Sequence, residues 1–172
     1  ADCLVQEGFG FLLFDLLTEE EKHEYAAHFD IDRIAARLLA VTRWLQEFER
    51  TRRLRIGYFG TGTGVAAALR AVAELAEQEG EYLVSCVVSR GGRPDLVLEY
   101  LPEVSVPVLL IVNEADGKSV RRNESARARL GGQTDLEKVP DAGRRFEEPG
   151  ALDRVAELSR RWFHYYLLQN YR

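Results

Sequence analysis

Two runs of this chain, "EYLVSCVVS" (Glu81–Ser89) and "VPVLLIVN" (Val106–Asn113), are apolar almost without interruption. A strand with one wet face alternates between apolar and polar residues; a strand with no wet face does not. Such runs read as strands covered on both sides, and helices packed on both faces of a sheet provide that cover. The stretches between them supply the helices. Ile31–Arg50 sets Ile34, Leu38, Val41 and Leu45 at helical spacing, and Val65–Gln78 is rich in Ala and Leu and stops near Gly80. Ser119–Leu130 reads as a basic helix, and Gly150 to about Gln169 as a closing amphipathic helix carrying Trp162, Phe163, Tyr166 and Leu167. Leu54–Gly60 and Thr134–Val139 read as two more strands, and "GFLLFDLL" (Gly10–Leu17) as another. The expected fold is α/β: a mostly parallel sheet with flanking helices, in a single domain over residues 1–172.

A net charge of -5 speaks against a nucleic-acid footprint. No apolar run approaches the roughly 18 residues of a membrane span, and the opening residues lack a signal-peptide pattern. The expected setting is therefore cytoplasmic. Cys3 and Cys86 make neither a disulfide framework nor a metal site, and Cys86, inside an apolar run, reads as a buried structural thiol. No cofactor and no metal are expected.

In a parallel sheet, function gathers at the carboxyl ends of the strands. Asp15, the Gly60-Thr61-Gly62-Thr63-Gly64 turn, "SRGGRPD" (Ser89–Asp95), "NEADGKS" (Asn113–Ser119) and "PDAGRRFEEPG" (Pro140–Gly150) stand there. A strand that turns sharply into a helix through glycines carries either a nucleophile or a phosphate. Gly62, Gly64 and Ala67 also fit the loose dinucleotide pattern G-x-G-x-x-A, and Arg90 at the end of the next strand is where an NADP enzyme places a cation.

The stretch Gly57-Tyr58-Phe59-Gly60-Thr61-Gly62-Thr63-Gly64 with the alanines after it resembles the nucleophile elbow of α/β-hydrolases of the dienelactone hydrolase group. "LLFDLLTEEE" (Leu12–Glu21), "FDID" (Phe29–Asp32), "VVSRGGRPDL" (Val87–Leu96), "VPVLLIV" (Val106–Val112) and "RFEEPGAL" (Arg145–Leu152) extend the resemblance over nearly the whole chain. It implies a truncated form of that family's three-layer sandwich and a triad of nucleophile, base and acid. Carried over residue by residue, the nucleophile position is Gly62, the base position is Arg144 and the acid position is Asp116. Two of the three are replaced, since glycine has no nucleophile and arginine stays protonated at neutral pH. The resemblance also implies earlier strands that these residues do not contain, one of them lying between the Phe11–Leu17 and Leu54–Gly60 runs.

The expected function is therefore a hydrolase-like domain with little or no catalysis. The turn residues Gly60, Thr61, Thr63 and Gly64, with Arg144, form a candidate site for a small anion or small molecule. Ser85, Cys86 and Ser89 have no nearby histidine in the motif order, and His23, His28 and His164 read as surface or packing residues. The alternatives are an active ester or lactone hydrolase with another nucleophile, and an NADP-type nucleotide-binding or assembly module. Apolar strand surface left open predicts a homodimer or larger assembly, with Phe11, Leu13 and the aromatic face of the closing helix near the contact.

Overall fold

The computed structural model describes residue 5 and residues 7–79, 83–143 and 145–169, with 78 and 79 as backbone only. Its four strands are β1 (Ile56–Gly62), β2 (Val84–Gly92), β3 (Val108–Asn113) and β4 (Thr134–Val139). They form one parallel sheet in the order β1-β2-β3-β4. All six residues of β3 are buried, which is why its sequence never alternates.

Three helices cover one face. Helix α1 (Ile31–Glu47) starts at Asp30, whose side chain accepts from the Arg33 N–H, and it buries Ile34, Ala35, Leu39 and Thr42. Helix α2 (Thr63–Glu79) follows β1 directly, and its residues from Val65 to Leu69 are almost wholly inaccessible. The small alanines at 66, 67 and 68 let this helix lie close to both the sheet and α1. Helix α3 (Gly117–Arg127) is the next crossover. Right-handed crossovers that step one way across the sheet put α2 and α3 on the same side.

The opposite face is covered by α4 (Ala151–Phe163), continued by a π-helical stretch over His164–Gln169. Val155, Leu158, Trp162, Phe163 and Tyr166 pack there against Cys86, Val88, Leu109 and Ile111. The approach is close enough to require a glycine in β1: a Cβ on Gly57 would lie 2.7 Å from Phe163 Cε1.

One expected strand does not form. Residues 9–15 have no regular secondary structure, and Phe11, Leu12 and Leu13 are 57%, 53% and 89% exposed. A strand needs a partner for its backbone groups, and among the described strands β1 pairs with β2 alone. Only the end of the run, Leu16 and Leu17, reaches the core. There the chain turns through a reciprocal cap in which Thr18 N–H donates to Glu21 Oε2 at 2.9 Å and Glu21 N–H to Thr18 Oγ1 at 3.3 Å.

Candidate functional site

The glycine turn lies where β1 meets α2, and each glycine there has its own geometry. A Cβ on Gly60 would stand 3.1 Å from both the Val65 nitrogen and its Cα, so the helix start lies tight against the strand end. Gly62 adopts φ +55°, the left-handed region that side chains rarely enter, yet a Cβ there would meet nothing within 4 Å. The tip of the turn is therefore open in space and constrained in backbone. Thr61 is exposed, and Thr63 and Gly64 are half-buried.

The end of β2 clamps this turn from the side. Gly62 and Gly92 are register partners, and the Arg93 N–H donates to the Gly62 carbonyl at 3.0 Å. A Cβ on Gly92 would overlap Val65, at 2.6 Å from its Cγ2. The first N–H groups of α2 have no partner inside the helix, and none of residues 63–65 donates to a turn or loop carbonyl among the described residues. Those groups and the helix dipole give the elbow a positive end.

Asp116 lies across the strand ends, after β3. Asn113 Oδ1 accepts the Ala115 N–H at 2.8 Å and shapes the loop. Asp116 then caps α3, its Oδ1 accepting from Lys118 N–H at 3.1 Å and Ser119 N–H at 3.0 Å. Oδ2 has no partner among the described residues, so the carboxylate is oriented through one oxygen and open at the other.

Arg144 lies outside the described residues. The loop around it is fixed by Phe146, which is 1% exposed in the second core despite φ +60°. Burying such a ring contributes about 1.5–3 kcal/mol, against about 1–2 kcal/mol for the left-handed backbone, so burial holds the loop in its turn. The Phe146 N–H donates to the Gly143 carbonyl at 3.1 Å.

Asp15, one of the strand-end residues singled out in the sequence, is tied to Lys22 at 2.6 Å. Asp95 is gripped by Arg93 at 2.8 and 2.9 Å, with Arg122 at 3.7 Å. Burial raises the Asp95 pKa, but the hydrogen bonds and charge of Arg93, with the charge of Arg122, outweigh it and leave the group lowered. This pairing ties the loop after β2 to α3. Arg90 stands beside Thr61 and Ile111 in the register and is half-buried.

The other candidate nucleophiles are poorly placed for chemistry. The Ser89 hydroxyl is fully buried with no hydrogen-bond partner. Burial pushes the Cys86 thiol up to about 12, far from the reactive thiolate. His28 contacts the Lys22 carbonyl at 3.0 Å and His164 contacts Glu7 at 3.3 Å. Among the described residues no cluster of His, Cys, Asp and Glu is arranged to hold a metal ion, and no helix is long and apolar enough to cross a membrane.

Sequence reasoning missed the buried polar Asn123. Asn123 is 0% exposed and donates to the Ser119 carbonyl at 2.9 Å. Nothing in a charged helix sequence such as "RRNESARAR" marks one Asn as the buried member.

Comparison with known proteins gives three results. No family model matches the chain. Two proteins of Mycobacterium tuberculosis, from strains CDC 1551 / Oshkosh and ATCC 25618 / H37Rv, each named "Putative phosphoribosyl transferase", are 46% identical over 163 residues. That alignment covers 95% of this chain but 36% of each relative, so the chain spans about a third of their length. Among solved structures, a dienelactone hydrolase from Anabaena variabilis ATCC 29413 superposes with a TM-score of 0.87 at 45% identity, over 97% of this chain and 77% of that one. Zea mays acyl-protein thioesterase 2 shares the fold at a TM-score of 0.50 and 15% identity, over 80% of this chain and 66% of its own.

Proposed function

We propose, from the premise that this chain belongs to the dienelactone hydrolase family of α/β-hydrolases, that it is a domain of that fold with little or no hydrolytic activity. In this reading the elbow serves as a cradle for a small anion. The observation that carries it is Gly62: the tip of the turn keeps φ +55° and has open space above it, but bears no hydroxyl or thiol. A left-handed turn that presents no side chain still presents the N–H groups of the helix start, and an anion is what those groups bind. Arg144, at the base position, adds a permanent cation, and the free Oδ2 of Asp116 is its natural partner. The pair would hold the site together where the family holds an imidazole.

An active hydrolase with a different nucleophile gains no support from the buried Ser89 or the Cys86 thiol. The name of the two longer relatives contains a phosphorylated sugar, so phosphate is the first anion to test. The exposed residues Phe11, Leu12 and Leu13 support self-association. Sedimentation at micromolar concentration reads that directly, and a clean monomer would remove it.

The test has two arms. Hydrolysis of p-nitrophenyl acetate by the wild type should stay at the buffer background, whereas Gly62→Ser combined with Arg144→His should exceed it, because the two replacements restore a nucleophile and a base alongside Asp116 at the acid position. Phosphate should raise the melting temperature of the wild type more than that of Arg144→Ala. Wild-type turnover above background refutes the loss of catalysis, and an identical phosphate response in the two proteins refutes the cradle.

A further inference from the structure

The elbow occupies the carboxyl ends of the strands. At the opposite end, the residue before β3, the segment entering β1 and the start of β2 wall a half-open cavity of about 450 Å³. That volume falls within the roughly 300–1,000 Å³ of small-molecule sites. Arg52, Arg53 and Arg55 line it from the connection between α1 and β1, together with the apolar Leu54, Leu83 and Pro107 and with Gln46, Ser85 and Tyr166.

The three arginines differ in how they are held. Arg55 is braced, its Nη1 donating to the Tyr166 carbonyl at 3.1 Å, and Tyr166 is itself buried. Arg52 and Arg53 are exposed, and neither pairs with a carboxylate among the described residues. Arg52 and Arg53, two permanent cations beside one concave space, repel one another, and a doubly charged anion seated between them relieves that repulsion. Guanidinium forks match the oxygens of a phosphate two at a time, which a point charge cannot do. Leu83 and Pro107 give such a ligand's body an apolar surface to lie on, and bare phosphate would leave that surface unused.

We infer that this cavity binds a phosphorylated small molecule, with its phosphate between Arg52 and Arg53 and its body against Leu83 and Pro107. The site is separate from the elbow and does not depend on how the elbow is read. Adenosine monophosphate and inorganic phosphate are the probes, titrated calorimetrically at constant ionic strength. The expected result is saturable one-to-one binding of the nucleotide, at least tenfold tighter than phosphate. The Arg52→Ala/Arg53→Ala double variant should weaken it at least tenfold. Both side chains are exposed, so circular dichroism and melting without ligand should match the wild type. The loss caused by the Arg52→Ala/Arg53→Ala pair should be the same when measured in an Arg144→Ala background, which distinguishes this cavity from an anion at the elbow. Absence of saturation, equal affinity for the two probes, or full affinity in the double variant would overturn the inference.

Discussion

Gly62 and Gly64 stand two residues apart, and a Cβ added to either would meet nothing within 4 Å. They differ in backbone alone. Gly62 has φ +55°, whereas Gly64 lies in the first turn of α2, outside the left-handed region. Replacing each by alanine therefore isolates the conformational term. At Gly62 the new Cβ costs about 1–2 kcal/mol, the ordinary penalty for an L-residue in the left-handed region. At Gly64 the substitution removes freedom from the unfolded chain without strain, a gain of about 0.4–1 kcal/mol. For a domain of this length each kcal/mol moves the midpoint by about 2–4 °C. Gly62→Ala should then melt roughly 2–8 °C below the wild type and Gly64→Ala roughly 1–4 °C above it. Urea denaturation with unchanged slope, followed by scanning calorimetry, measures both. Shifts of the same sign, or a neutral Gly62→Ala, would show that the fold does not hold position 62 in the left-handed turn. The elbow argument would then lose its footing, since it rests on that backbone and not on the glycine count.

Asp116→Ala should cost about 1 kcal/mol by uncapping α3, and Asp116→Asn should recover most of that because its amide oxygen accepts the same N–H groups; denaturation midpoints decide it. Glu21 is held down to about 2, first by its hydrogen bonds to Arg37 and then by the Thr18 N–H, from an ordinary value of 4.5. A depressed carboxylate stabilises the fold above its unfolded value and loses that contribution as pH falls, so the wild type should lose its advantage over Glu21→Gln between pH 4.5 and about 2. Melting curves across that window test the sign. Cys86 should resist a thiol reagent in the folded protein near neutral pH and react once unfolded in guanidinium, measured in a Cys3→Ser background. Rapid labelling of the native protein would contradict its placement between the sheet and α4.

Much of this protein could be read without coordinates, because the signals involved are local. Continuous apolar runs mark β2 and β3, and β4 falls on Thr134–Val139 as expected. The order of strand, glycine turn and helix places the elbow, and Asp116 follows its strand at capping distance. Partnership is not a local property, and there the tertiary structure decided. The run at Gly10–Leu17 is as apolar as a buried strand, yet it stays irregular, because no described strand lies beside it to take its backbone hydrogen bonds. Conversely, β1 runs on to Gly62, two residues beyond its expected end, because pairing with β2 outweighs the poor strand propensity of its glycines. The burial of Ser89 and Asn123, the positive φ of Gly62 and Phe146, and the arginine cavity at the amino ends likewise arise only where distant segments meet. Sequence fixes what each segment prefers, and packing fixes which preferences are satisfied.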